Sequence, residues 1–247
     1  MRDHAYKNLS RLYMPLEDIS SGLNALLSEG QLHYLKNVMR LEAGDQLRVF
    51  NGRNGEWLAM VEELSKKKGV IRFVEKLVEQ NAAPDAWVLA SPVKKEAFEW
   101  MVEKSTELGA SRFIPVICDH TVVHRVNEER MALIATEAAE QSEWLDLMET
   151  ASLDKLQNVL NSWPSGRKLI FCIERELAAP LLDVTAKIAP GTPVALLIGP
   201  EGGFSKAEIK LLQGYPFVES VSLGTRILKA ETALIAALAG LQFSINK

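Results

Sequence analysis

Residues Leu197–Glu208 read LIGPEGGFSKAE, and this stretch decides the fold. The almost wholly apolar run Pro193–Ile198 (PVALLI) leads into it. Gly199, Gly202 and Gly203 follow within five residues, and Ser205 and Glu208 then stand at capping-box spacing ahead of a helix over 205–213. A short strand with no polar face is buried on both sides, as strands of parallel sheets are. Ligands of such sheets sit beyond the carboxyl ends of the strands. Glycines there permit positive φ and let backbone amides come close to a bound group, so Gly202→Val is expected to abolish binding. Neither G-x-G-x-x-G nor G-x-x-x-x-G-K-[ST] occurs, which argues against a dinucleotide or nucleotide-triphosphate loop.

One unit further on the pattern recurs. Val218–Leu223 reads as a strand, Gly224 follows, and Lys229–Phe243 is an apolar helix. Between them, Arg226 and Lys229 flank Ile227 and Leu228. Two glycine loops on consecutive strand ends are best explained by one ligand lying between them. Upstream, strands at Trp87–Ser91, Arg112–Ile117 and Lys168–Ile173 alternate with helices at Lys94–Leu108 and Glu128–Ser142. That alternation predicts a parallel sheet covered on both sides over 84–247. The first 83 residues differ in style. Gln46–Phe50, EWLAMVEEL and GVIRFVEKL alternate around Asn-Gly steps and a Lys66–Gly69 turn, and one short helix over Leu32–Leu41 precedes them. Several strands in so few residues predict a small β-barrel. Glu79–Ala86 (EQNAAPDA) reads as the linker, giving domains at 1–83 and 84–247.

Composition narrows the function. With 47% hydrophobic and 24% charged residues over 247 positions, the chain is neither disordered nor fibrous. Its two cysteines, Cys118 and Cys172, lie in apolar runs and read as reduced, buried thiols. No apolar run reaches the length of a membrane span and the start MRDHAYKNLSRLYM has no signal-peptide pattern, so a cytoplasmic protein is expected. The net charge of −4 is unevenly spread. Residues 1–83 carry 12 Lys/Arg against 11 Asp/Glu, while the remainder carries 16 against 21. The first third is therefore the better place for phosphate contacts, with Arg40, Arg48, Arg53 and the Lys66–Lys68 run as candidates and His33 beside them. His120 and His124 (HTVVH) have i, i+4 spacing, but Thr-Val-Val between them favours strand over helix, and no cysteine pair accompanies them. No metal is expected. The nucleophile elbow G-x-S-x-G is absent too.

GPEGGFS followed by LG-x-RIL-x-x-ETA resembles the knotted SPOUT methyltransferases, and within them the ribosomal small-subunit RNA methyltransferase E family, the 16S rRNA (uracil-1498-N3) enzymes. Three further segments carry the resemblance. His33, Val38, Arg40, Gly44 and Asp45 are similar to the family's H-x-x-x-x-V-x-R…GD pattern. Lys104, Glu107, Leu108 and Gly109 match its K-x-x-ELG helix, and Glu137–Ser142 its EAAEQS segment. The chain departs from the pattern at Thr225 (usually Pro), at Lys229-Ala230 (usually Arg-Thr) and at Glu143-Trp144 (usually Gly-Arg).

The resemblance implies a PUA-like β-barrel that binds RNA, then an α/β domain with a trefoil knot and a homodimer formed across it. It implies that S-adenosylmethionine is held by Ile198, Gly199, Gly202, Gly203, Leu223, Gly224, Ile227, Leu228 and Thr232. The acceptor would be N3 of a uridine in 16S rRNA, probed free or in the small ribosomal subunit. That nitrogen must lose a proton, so a cation beside the uracil carbonyls and a carboxylate acceptor are required. Arg226 fits the first role and Glu201 or Glu231 the second. Two alternatives stay open: a SPOUT enzyme acting on another rRNA or tRNA nucleotide, and a non-catalytic RNA-binding assembly protein.

Overall fold

The computed structural model describes residues 6–81, 84–174 and 178–245. The linker expected over 79–86 includes residues 82 and 83, and the domain cut falls there, so that part of the expectation lies outside the described residues, as do the first five residues of the chain. Two compact units are formed: Met1–Ala82 with Glu140–Leu147, and Ala83–Ala139 with Met148–Lys247.

The first unit is built on β1 (Arg11–Tyr13), β2 (Asn24–Leu26), a short helix α1 (Glu29–His33) that continues as a wider π-type turn over Tyr34–Val38, and β3 (Gln46–Phe50), β4 (Glu56–Leu64) and β5 (Gly69–Val78). The sheet runs β1-β3-β4-β5-β2. The β3–β4 and β4–β5 hairpins fall where the alternating runs and glycine turns place them, with Gly52 and Gly55 both near φ +80°. Alternation buries Leu47, Val49, Ile71 and Phe73 with Leu12 and Leu35 as the core. Arg48 breaks that alternation and is still buried, because Glu140–Leu147 covers its face of β3. Its guanidinium lies 2.7 Å from Glu143 and 3.6 Å from Glu56, and Arg11 holds Glu56 at 2.6 Å and the Trp144 carbonyl at 2.6 Å. Those bonds tie residues 140–147 to the strands, although they stand within the second style of sequence. Glu143, where the family pattern has glycine, sits at φ +62°. The left-handed region costs a non-glycine residue about 1–2 kcal/mol, and the Arg48 pair is what offsets it here.

The second unit is a parallel sheet. Its elements are β6 (Ala86–Ala90), α2 (Lys95–Glu107), β7 (Arg112–Ile117), α3 (Glu128–Ser142), β8 (Glu149–Thr150), β9 (Asp154–Lys155), α4 (Leu156–Asn161), β10 (Lys168–Cys172), β11 (Ala179–Pro180), α5 (Leu181–Thr185), β12 (Val194–Ile198), α6 (Lys206–Gln213), β13 (Val218–Ser222) and α7 (Ala230–Ile245). The order is β11-β13-β10-β12-β6-β7-β8, and β9 pairs with β7. Every ladder is parallel. All five residues of β12 are buried, as the PVALLI run requires. Helix α7 packs on α2, α5 and β12 through Leu234, Ala237, Leu238 and Leu241, and Gln242 donates to the Gly109 carbonyl at the end of α2.

The two edges of this sheet differ. At the amino ends of the strands, Trp163 stacks on Phe217, and Arg167 lies 3.6 Å over Trp87 while pairing with Asp85 at 2.6 Å. That edge is filled by aromatic and cationic side chains. At the carboxyl ends stand the loops that follow β6, β7, β12 and β13, and the glycines are there. No helix among the described residues is long and apolar enough to cross a membrane.

Candidate functional site

The site is assembled from strand ends. Strand β10 lies between β12 and β13, so the two glycine loops leave the same edge of the sheet on either side of it. Ser205 caps α6 by accepting from the Glu208 amide while the Glu208 carboxylate accepts from the Ser205 amide, the reciprocal capping box that the spacing predicts. This fixes where loop 199–205 must end.

Within that loop the three glycines are required for different reasons. At Gly199 a Cβ would come within 2.6 Å of the Phe204 ring, which is itself held edge-on by Phe171. At Gly202 a Cβ would meet that of His120 at 3.0 Å. Only Gly203 has positive φ, +68°, and the space around its missing Cβ is open to 4 Å. Its amide closes a turn onto the Pro200 carbonyl at 2.9 Å. The expectation that Gly202 needs positive φ is therefore corrected: close packing of His120 demands a glycine at 202, and the left-handed backbone belongs to 203. Ile198 is buried at the end of β12, and Glu201 is exposed at the turn.

The second loop opens at Gly224, φ +111°, again with open space around the missing Cβ. The Ser222 hydroxyl receives the Gly224 amide. The amides of Thr225, Arg226, Ile227 and Leu228 donate to no acceptor among the described residues, so a run of backbone donors is left over at this edge. Leu223 and Leu228 are half-buried, and Ile227 is 63% exposed, unusual for so apolar a side chain. Arg226 is exposed with no ion pair or hydrogen bond among the described residues. Glu231 and Thr232 occupy the first turn of α7, Glu231 half-buried and 4.0 Å from the Lys229 ammonium. Two left-handed glycines with open space before them, apolar side chains at the rim and unused amides form a cradle that a flat heteroaromatic ring and an amino-acid tail would fit.

The loop after β7, residues 118–127, reaches the first glycine loop. The His120 ring nitrogen Nδ1 lies 3.1 Å from the Gly202 carbonyl and 3.2 Å from that of Gly203. The Asp119 carboxylate accepts from the Ser205 hydroxyl, and the Asp119 amide donates to Glu208 at 2.9 Å. Sequence reasoning weighed His120 only as a metal ligand and passed over Asp119. The signal available was a Cys-Asp-His-Thr turn straight after an apolar strand. HTVVH is irregular rather than strand, and no group of three or more His, Cys, Asp and Glu with metal-holding geometry occurs among the described residues. Burial pushes the Cys118 thiol up to about 12, with Glu208 adding to it, and burial does the same to Cys172, so neither is a nucleophile at neutral pH.

In the first unit the RNA candidates separate. Arg40 and Arg53 are exposed and unpaired among the described residues, and Arg40 stands at φ +57° just past the helical turn, where the Leu41 amide closes onto the Leu35 carbonyl at 2.9 Å. His33 is exposed at the end of α1. Arg48, expected at a phosphate-binding surface, is instead 6% exposed and committed to Glu143 and Glu56. It cannot reach a phosphate without breaking that network.

Comparison with known proteins agrees with this geometry. Residues 79–242 match the RNA methyltransferase domain family and residues 27–74 the RNA methyltransferase PUA domain family. The Ribosomal RNA small subunit methyltransferase E of Rickettsia conorii is 30% identical over 93% of this chain and 93% of its own length. The protein of the same name from Synechocystis sp. is 37% identical over 86% of this chain and 71% of its own. The crystal structure of Ribosomal RNA small subunit methyltransferase E from Neisseria gonorrhoeae bound to S-adenosyl methionine is 26% identical, superposes with a TM-score of 0.83, and covers 96% of this chain and 98% of that one. The chain belongs to the ribosomal RNA small subunit methyltransferase E family.

Proposed function

We propose that this protein transfers the methyl group of S-adenosylmethionine to N3 of a uridine, uracil 1498 in the family's reaction, in 16S rRNA of the small ribosomal subunit. The observation that carries the reading is the pair of left-handed glycines, Gly203 and Gly224, facing open space on the same edge of one parallel sheet in a chain of this family. When bound, the donor supplies an electrophilic methyl on a positively charged sulfur. The chain's task is to hold that methyl in line with the acceptor and to make N3 anionic.

Ile198, Leu223, Ile227 and Leu228 would sandwich the adenine. The backbone of Gly199, Gly202, Gly203 and Gly224 would meet its edge, and Thr232 stands at the same rim. Arg226, unpaired and exposed among the described residues, is free to stabilise charge that develops on the uracil oxygens. Glu201, exposed on the facing glycine loop, would accept the N3 proton. His33, Arg40 and Arg53 would contact the RNA backbone from the first unit. A knot threading the two glycine loops, and a homodimer formed across α7, complete the reading. The dimer is supported by Ala236 and Phe243, which α7 leaves exposed, Phe243 by 80%.

The test is mass spectrometry of 16S rRNA nucleosides after incubating deproteinised RNA, or small subunits, with the protein and labelled donor. N3-methyluridine at a single position is expected. Label on another nucleotide would move the base assignment, and no label on either substrate would sink the enzymatic reading.

A further inference from the structure

We propose that His120 is a positioning residue for the donor loop, its Nδ1–H clamping the Gly202 and Gly203 carbonyls so that the turn keeps its donor-binding shape. The proposal rests on the reading of loop 199–205 as the donor site. Both partners of Nδ1 are carbonyl oxygens, at 3.1 and 3.2 Å, and carbonyls only accept. The proton must therefore be on Nδ1, and Nε2 is left with its lone pair. Two consecutive carbonyls converge on one ring nitrogen because Gly203, at φ +68°, turns the second peptide back beside the first. Since the peptide is trans, turning the Gly203 carbonyl toward His120 points the Phe204 amide to the opposite side. The Phe204 amide has no acceptor among the described residues. The clamp thus decides which way the loop's free amide faces.

The ring can do this because its own loop is anchored independently. Thr121 Oγ1 receives the Cys118 amide at 2.8 Å and lies 2.6 Å from the Ser91 hydroxyl, with both Thr121 and Ser91 buried. The Ser91 amide in turn donates to the Ile198 carbonyl, at the base of the donor loop. Asp119 meets Ser205 and Glu208 at the loop's other end. His120 is the part of this corner that touches the glycines themselves, and its ring is exposed rather than packed in a core. A ring held only for bulk would not require the Nδ1–H tautomer; a ring that positions the loop does.

The experiment uses the full-length protein with S-adenosylmethionine and S-adenosylhomocysteine as probes. Long-range 1H–15N correlation at a pH where the ring is neutral is expected to show His120 protonated on Nδ1, and the Nε2–H form would overturn the proposal without any variant. His120→Phe keeps a flat ring without the donor. It is expected to weaken donor binding about tenfold, the size of one to two neutral hydrogen bonds, with little change in melting temperature or in turnover at saturating donor. His120→Asn, which restores an N–H donor, is expected to recover most of the affinity. Unchanged affinity in His120→Phe, or no recovery in His120→Asn, would overturn the positioning role. Absence of donor binding by the wild-type protein would instead sink the donor-site reading itself.

Discussion

Replacing Gly203 by alanine tests the donor cradle with the fewest side effects. The backbone stands at φ +68°, where an L side chain costs about 1–2 kcal/mol, but no heavy atom lies within 4 Å of the added methyl. Neighbouring side chains are therefore not displaced, and the whole penalty is conformational. If the loop keeps its shape, the melting temperature of a chain this size falls by about 2–4 °C per kcal/mol and the new methyl occupies the space before the cradle. If the loop instead relaxes, melting is spared, and donor binding must supply the 1–2 kcal/mol to restore the turn, about a tenfold loss in affinity or more. Either route weakens the donor. Gly191 provides the control: φ +76°, equally open space, the same unit, but the turn that precedes β12 at the opposite edge of the sheet. Gly191→Ala should show the melting loss alone. Titration calorimetry with S-adenosylmethionine beside scanning calorimetry separates the two. Equal donor affinity in Gly203→Ala and Gly191→Ala would refute the cradle.

Arg226→Ala should lower single-turnover methylation by about 100- to 1,000-fold at saturating donor, with Arg226→Lys recovering part, because a point charge cannot reproduce the planar fork. A normal rate with a lowered melting temperature would make Arg226 structural. Arg48→Ala leaves Glu56 buried with Arg11 alone, so a loss of about 3–5 kcal/mol is expected in urea unfolding, whereas Arg53→Ala should leave unfolding untouched and reduce the salt slope of RNA binding by about one. The reverse pattern would exchange their roles. Both thiols sit well above their ordinary value near 9, so the folded state keeps protons that the unfolded chain releases. Stability should hold below about pH 9 and decline from there toward pH 12, and a Cys118→Ser, Cys172→Ala double variant should flatten that decline in urea midpoints. Ala236→Glu should convert a dimer to monomers in light scattering, and a wild-type monomer at micromolar concentration would end the dimer proposal.

What could be read from the sequence was what local chemistry encodes. The all-apolar β12, the Ser205–Glu208 capping box, the Asn-Gly hairpins and the glycines at 203 and 224 each announce themselves within a dozen residues. Three-residue strands such as β1 do not, since their pairing with β3 is set by partners more than thirty residues away. Helix α7 shows the limit of an amphipathicity argument. Its all-round apolar surface suggested that a partner must cover it, yet α2, α5 and β12 of the same chain cover Leu234, Ala237, Leu238 and Leu241, leaving a narrower strip for a second copy.

Charges were the least legible, because a lone arginine on a strand looks the same whether it faces a phosphate or a carboxylate ninety residues on. Leu47, Arg48, Val49 and Phe50 are consecutive and all buried, a pattern that two-sided covering explains once Glu140–Leu147 is seen to lie with the first unit. The departure at Glu143 belongs to the same account. A glycine at φ +62° is free of strain and offers no charge; a glutamate there is strained by about 1–2 kcal/mol and supplies the 2.7 Å partner that keeps Arg48 inside. Residue 143 thus exchanges backbone ease for an ion pair. The neighbouring Trp144 contributes its carbonyl to Arg11 whatever its side chain, so only the arginine usual at that position is lost from the surface. Any RNA contact it makes in relatives must come here from exposed cations such as Arg40 and Arg53, which is why the Arg48 and Arg53 variants are expected to part company so sharply.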